Sequence, residues 1–343
     1  MEGPGGPARP PLQYLLTKTK SNQSKPSGPP GTNQTYRLMK LRNLFMSLLM
    51  VCGISASCIK EDNSDCYNIY RLALSYLGDE NSEIFPEKID RVDMYVFDGA
   101  GQMVTSTRLS DAEVRAQLTT LPPLDEGTYR IVCVGNAYDT KVENLDAKDL
   151  SRTSFAAADY ISGETVSGND PLYWSAIDYT IAPYDQYKQI ETKTTYFSCS
   201  HYDISVDVKG SPNPNTKAGQ YPLIKLEGLS PWTDFNNRAW GDKTTYVMET
   251  THDGLTTLTG VNNIMRHTDH QNAWVRVYTS DGKTQLAEVN FAEFLQQHKD
   301  VIDVTKNEVL IPFQIEFKSS SVTVTIADWF VHQVKPEWRQ NNK

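Results

Sequence analysis

The residues whose types and spacing could do chemistry are few, and the clearest stand near the N-terminus. Cys58 directly follows the small-residue triplet Ser55-Ala56-Ser57. Small side chains fit the cleft of a lipoprotein signal peptidase, and only a thiol can form the diacylglyceryl thioether. The spacing therefore predicts cleavage between Ser57 and Cys58 and acylation of the new terminal cysteine. Cys52 is a poor rival because bulky Val51 precedes it, although Ser55 replaces the Leu usual three positions before the cysteine. Immediately after the acyl site come Lys60, Glu61 and Asp62, then Asp65. A charged run at that place reads by itself as a solvated acidic tether.

The rest of the chain offers little reactive material. There is no His-Glu-x-x-His, no Gly-x-Ser-x-Gly elbow and no P-loop. His267-Thr268-Asp269-His270 could lend imidazoles and a carboxylate to a metal, but no Cys or Glu stands nearby, and the cluster reads as a solvated loop. Trp174, Trp232, Trp240 and Trp274 could build a glycan-stacking platform, yet such rings more often fill cores and strand faces. Asp90 and Asp93 sit in a strand and its approach and read as surface acids. No enzyme activity, metal, cofactor or small-molecule substrate is expected from these residues.

The elements that would position Cys58 are addressing segments. Residues 1–38 are rich in Pro and Gly with no apolar period, so they read as a disordered leader and as an over-called upstream start. Residues 39–57 read as a lipoprotein signal peptide, with basic Lys40 and Arg42 ahead of an apolar run from Leu44 to Ile54. That run is too short for a transmembrane helix, which needs about 20 residues. Residues 58–66 are the lipidated tether. Removing residues 1–57 takes away seven basic residues and one acidic one, so a net charge of −9 for the full 343 residues becomes −15. So acidic a body is repelled by anionic lipid, and attachment to a membrane must come from the acyl chains. The same balance excludes a nucleic-acid partner, which needs clustered Lys and Arg.

Beyond the tether, period-2 alternation dominates and predicts an all-β body. Tyr70, Leu72, Leu74 and Tyr76 share one strand face, and so do Val92, Met94 and Val96 before a turn at Asp98-Gly99-Ala100-Gly101. Ser110 and Glu113 have capping-box spacing for a short helix. Cys133 falls on the face of Tyr129 and Ile131 as a small buried hydrophobe. A bridge from Cys66 to Cys133 or Cys199 is open to the chain. Residues 139–195 are polar and weakly periodic, predicting long loops with a strand or two. The alternation Tyr202-Ile204-Val206-Val208 is expected to close a first sandwich, 67–210, at the break Gly210 to Asn215. A second, 218–332, contains a helix Phe291 to His298 behind Asn290 and its best strand, Val309 to Phe317, followed by Val322 to Ile326. Residues 333–343 are a tail. Two tandem β-sandwiches with one or two short helices are the expected architecture.

Four stretches carry a family resemblance. Cys58-Ile59-Lys60-Glu61-Asp62-Asn63-Ser64-Asp65-Cys66, Lys88 through Asp98, Gly127 through Val132 continuing to Gly135-Asn136, and Val322 through Trp329 resemble the fimbrial anchor subunits of type V pili. Lys60-Glu61-Asp62 likewise resembles the tag that some anaerobic bacteria use to export a lipoprotein to the outer surface. Family members often carry Trp where Cys133 stands. The resemblance implies two transthyretin-like sandwiches, a lipid anchor in the cell outer membrane with the body surface-exposed, stalk pilin subunits as partners, and a role in holding the pilus base and limiting its length. Related stalk pilins are cut by an arginine-specific protease in a loop after their first strand. Here Arg71 falls inside the first strand pattern, which favours an anchor over a processed stalk pilin. A glycan-binding surface lipoprotein and a tip or accessory subunit are the alternatives.

Overall fold

The structure is a computed structural model and describes residues 68–79, 81–162, 165–183, 189–210 and 221–330. All of these lie in one compact unit, Ser64–Lys343; the other unit, Met1–Asn63, falls outside the described residues. The leader, signal peptide, tether and tail expectations therefore lie outside them as well.

Alternating strands bury one face by stacking sheet on sheet, and the first body does so with two sheets. A three-stranded sheet runs in the order β10 (Ile190–Tyr196), β1 (Ile69–Ser75), β4 (Leu118–Thr120). Facing it is a five-stranded sheet, β11 (Ser198–Cys199), β9 (Tyr173–Ile181), β5 (Gly127–Gly135), β2 (Val92–Phe97), β3 (Met103–Arg108). Leu72 and Leu74 from the first pack with Met94, Val96, Ile131, Cys133 and Tyr179 from the second. The reverse face of β2 and β5 is covered too: Phe97, Val132 and Val134 join Phe155 and Phe235. That cover comes from a four-stranded sheet, β15 (Ala239–Trp240), β14 (Trp232–Asp234), β7 (Ser154–Ala157), β6 (Thr140–Glu143). A sheet covered on both sides explains why Ile131 to Gly135 read as a continuous buried run rather than an alternation.

The second body pairs two five-stranded sheets. One is β17 (Thr250–His252), β18 (Thr257–Met265), β12 (His201–Lys209), β21 (Leu310–Phe317), β22 (Val322–Ile326). The other is β20 (Gln285–Asn290), β19 (Trp274–Tyr278), β13 (Leu223–Leu229), β16 (Thr244–Val247), β8 (Thr165–Val166). Ile204, Val206, Ile311 and Ile315 meet Ile224, Leu226, Val275 and Val277 between them. Phe313 is fully buried against Phe291 and Phe294, at 5.2 and 4.1 Å between ring centroids. Truncating it to Ala would cost about 3–5 kcal/mol, the lost transfer energy plus the cavity left behind.

Local signals fold as their chemistry dictates. Helix Asp111–Ala116 starts on a complete capping box between Ser110 and Glu113, and helix Phe291–Gln297 on Asn290, whose Oδ1 accepts from Glu293 N at 3.2 Å. Asp98 Oδ1 accepts from Ala100 N and Gln102 N, and Gly101 takes φ 76° to close the β2–β3 hairpin. Cys133 and Cys199 are both free and buried.

Three expectations need correcting. Tyr202 to Val208 does not close the first body: β12 pairs antiparallel with β18 and parallel with β21, as the middle strand of the second. The break after Gly210 thus separates β12 and β13, two strands whose side chains meet in a single core. Residues 139–195 hold five strands rather than one or two, including nine-residue β9 at the heart of the first body. Besides the two expected helices, single turns form at Phe85–Lys88 and Ala158–Ser162, so the described residues hold four.

Candidate functional site: an open sheet edge and the junction behind it

Ser57, Cys58, Lys60, Glu61 and Asp62 lie outside the described residues, so the site is built from what the body presents. Any sheet that is not closed has edges, and an unpaired edge is a template for another strand. Most of the edges here are blunted by length or irregularity. β8, β11 and β15 have two residues each, β4 and β17 three, and the pairings of β3 and β20 are bulged. β10 is different. Its seven residues pair in unbroken parallel register with β1, from Ile69 opposite Ile190 to Ser75 opposite Tyr196. No further strand is bonded to its outer side among the described residues, and Ile190 and Tyr196 are 58% and 59% exposed. Lys193 is held back over the Tyr179 ring at 4.6 Å and toward Glu191 at 3.6 Å, so its charge guards the edge poorly.

β1, which supports this edge, is bonded on both sides. Arg71 stands opposite Thr192 on β10 and Thr120 on β4. The sequence expectation that Arg71 lies within a strand holds, and the structure adds that the strand is internal.

At its C-terminal end β1 runs into a polar junction with the second body. Tyr76 Oη donates to Glu308 Oε1 at 2.5 Å, Tyr173 Oη to the same oxygen at 3.3 Å, and Lys88 Nζ to Oε2 at 2.7 Å. Burial first, then the bond to Glu308, holds the Tyr76 phenol far above its ordinary range, so it remains a donor. Asn307 adds Nδ2 to Leu77 O and its backbone N–H to Asp79 Oδ1, both 2.9 Å. Arg266 braces the same loop from behind through Lys306 O and Asn307 O. Sequence reasoning missed Glu308, which looks like any acid before a strand.

Beside the junction, Cys199 Sγ lies 3.2 Å from His201 Nδ1, and His201 Nε2 lies 3.4 Å from Asp203 Oδ1. Nδ1 also faces Leu172 O at 3.0 Å. Acceptors at both nitrogens suit the imidazolium. Burial alone would drive its pKa down, but the Cys199 sulfur and the Asp203 carboxylate outweigh that and raise it to about 10. Cys199 ends β11 and His201 begins β12, so the pair stands where the chain passes from the first body to the second, and its only sequence signal is a Cys and a His two residues apart.

The other sequence candidates build no metal site or ring platform, although His267 Nε2 and His270 Nδ1 stay in contact at 3.3 Å. His267 is buried rather than solvated, against Tyr202 and Phe291, and burial pushes it down to about 4. Its Nδ1 faces Met265 O, while Asp269 is taken up by Gln271 and Asn272. No group of three metal-binding side chains occurs among the described residues. Trp174, Trp232 and Trp274 belong to three different sheets, so they form no common platform; only Trp240 sits beside Trp232.

The described residues thus form layered β-sheets with one long regular edge left open, a fold of the β-rich adhesin type. Over residues 63–335 the chain matches the fimbrillin-A associated anchor proteins Mfa1 and Mfa2, and it belongs to that family. The fimbrial anchor protein Mfa2 from Porphyromonas gingivalis superimposes with a TM-score of 0.58 at 14% identity, covering 76% of this chain and 96% of that one. A candidate adhesin from Bacteroides ovatus gives 0.62 at 13%, covering 77% and 95%. A candidate polysaccharide-binding protein from Bacteroides thetaiotaomicron gives 0.58 at 12%, covering 75% and 96%. At these identities the likeness establishes a shared fold. No curated protein matches the chain in sequence. Membership of a fimbrial anchor family implies association with fimbrial subunits at the cell surface.

Proposed function

We propose that this protein holds the base of a fimbria at the cell outer membrane and limits its length, with acyl chains on Cys58 at one end and a stalk pilin strand laid along β10 at the other. Its two paired-sheet bodies are, on this reading, transthyretin-like domains. The single observation that carries the joint is β10 itself, the longest regular edge among the described residues. Strand addition supplies main-chain hydrogen bonds for strength and alternating side-chain contacts for register. The load path is short. A strand on β10 pulls on β1, which begins eleven residues after Cys58, and β1 is held between two neighbours and sewn at its far end to Glu308. On this reading β10 accepts the strand and β21 serves as core, since it lies between β12 and β22 with Ile311, Phe313 and Ile315 fully buried.

Deleting the gene should release long fimbriae into the medium while pilin synthesis continues. Fimbriae that stay cell-bound at normal length would overturn the anchor role. Neighbouring residues of an edge strand turn their N–H groups alternately inward and outward. Of Glu191→Pro and Thr192→Pro, therefore, one breaks the β1 pairing and the other only blocks the outer edge. The variant that keeps its melting temperature should lose stalk binding; unimpaired binding would move the joint to another edge.

A further inference from the structure

A cavity of about 620 Å³ opens beside β2 and β3, with Arg91, Arg108, Arg115 and Tyr138 on its rim. Its floor is apolar, because Ile89, Leu109 and Val114 are almost wholly buried. Asp93 organises the rim from below, taking Arg108 Nε at 2.9 Å and Arg91 Nη2 at 3.3 Å. Arg91 also donates to Tyr138 O at 3.4 Å, and its guanidinium carbon lies 5.8 Å from the centroid of that ring. The Tyr138 hydroxyl donates to Asp90, which fixes the ring, while the residue stays 44% exposed. Two donors are left over. Arg91 Nε is buried with no hydrogen-bond partner, and Arg115 is in no ion pair among the described residues.

In a chain of net charge −9, three guanidinium groups around one cavity run against the composition. A planar guanidinium fork is matched by a carboxylate. A fixed tyrosine face beside an apolar floor takes the C–H face of a ring, and Asp90 and Asp111 at the same mouth are acceptors for hydroxyl groups. We infer that this cavity binds an acidic saccharide unit, a hexuronic or sialic acid, with its pyranose against Tyr138, its carboxylate on Arg115 and Arg108, and its hydroxyls on Asp90 and Asp111. The volume sits within the range of about 300–1,000 Å³ usual for small-molecule sites. The anchor reading does not depend on this site and survives its failure.

The test is calorimetric titration of the full chain with digalacturonic acid and with sialyllactose, using lactose as the neutral control. At least one acidic sugar should bind saturably, with lactose weaker by about tenfold or more, as expected for loss of a charge-assisted pair. Arg115→Gln should weaken the acidic sugar by about the same factor. Because Arg115 is exposed, its melting temperature should not change. Tyr138→Ala should abolish binding and Tyr138→Phe restore it, since the ring face, not the hydroxyl, meets the sugar. Three results would each overturn the inference: no saturable heat at millimolar sugar, equal affinity for lactose, or displacement of the sugar by an equal concentration of an acidic tetrapeptide.

Discussion

Tyr76 and Glu308, 232 positions apart, share a 2.5 Å hydrogen bond where the end of β1 meets the start of β21. The phenol is fully buried, so its donor must find an acceptor, and the Glu308 carboxylate gains two more donors, Tyr173 at 3.3 Å and Lys88 at 2.7 Å. Hydrogen bonds to a charged group contribute about 1.5–3 kcal/mol, and removing one partner strands the other. Glu308→Gln should therefore lower unfolding stability by about 2 kcal/mol and Tyr76→Phe by about 1–2 kcal/mol. Lys88, at 38% side-chain exposure, should matter less, under about 1 kcal/mol. Urea unfolding of the two single variants and the double variant measures the coupling. Strict additivity would show that the contact transmits nothing between the bodies.

His201 and His267 should give the stability curve two limbs of opposite origin. His267 falls from 6.5 to about 4 on folding, so the unfolded chain takes up the proton first. Its contribution is complete above about pH 6.5 and is lost as pH drops toward 4, at no more than about 1.4 kcal/mol per unit. His201 rises from 6.5 to about 10, so its contribution is complete below 6.5 and is lost as pH climbs through 10. Urea midpoints at acid, near-neutral and alkaline pH should trace a dome. His267→Phe should flatten the acid limb and His201→Phe the alkaline one; limbs unchanged by these substitutions would place the titration elsewhere.

The strands most legible in the sequence are those whose alternation is strict and whose partners are near. Val92-Met94-Val96 and Ile311-Phe313-Ile315 state their buried faces outright, and the Ser110 and Asn290 caps act within one helical turn. Sheet membership is not local. β12 has the same alternation whichever sheet it joins, and its parallel partner β21 lies about a hundred residues on. β7, Ser-Phe-Ala-Ala with every residue buried, is too short and too small to show a period. Glu308 fails for the same reason, since Tyr173 and Tyr76 reach it across 135 and 232 positions. The open edge at β10 is invisible for another: Ile-Glu-Thr-Lys-Thr-Thr-Tyr is polar because only one side of it is packed.

Arg71 should resist an arginine-specific protease in the native chain. Cleavage needs a segment that can leave its neighbours, and Arg71 is bonded to β10 and β4 at once, between buried Leu72 and the Tyr179 hydroxyl that donates to Arg71 O at 3.1 Å. Limited digestion followed by mass spectrometry should find residues 69–75 intact, and the same enzyme should cut after Arg71 once the chain is denatured. Native cleavage there at the rate of exposed loops would make this a processed subunit rather than an anchor.

The last expectation concerns how the body is tethered. After cleavage before Cys58 the chain carries a net charge of −15, so an anionic membrane surface repels it and only covalent lipid can hold it there. A single acyl chain gives marginal attachment, whereas a diacylglyceryl thioether supplies two chains and, with acylation of the new terminus, three. Cys58→Ala should leave the precursor unprocessed and move mature protein out of the membrane fraction; unchanged mass and fractionation would refute lipidation. Replacing Lys60, Glu61 and Asp62 together with Ala should keep the lipid but change the side of the membrane on which the body is displayed. Protease added to intact cells separates the two readings of that run. A body that becomes resistant identifies an export tag, and a body still shaved off identifies a solvated tether whose charges only keep the neighbouring chain clear of the surface.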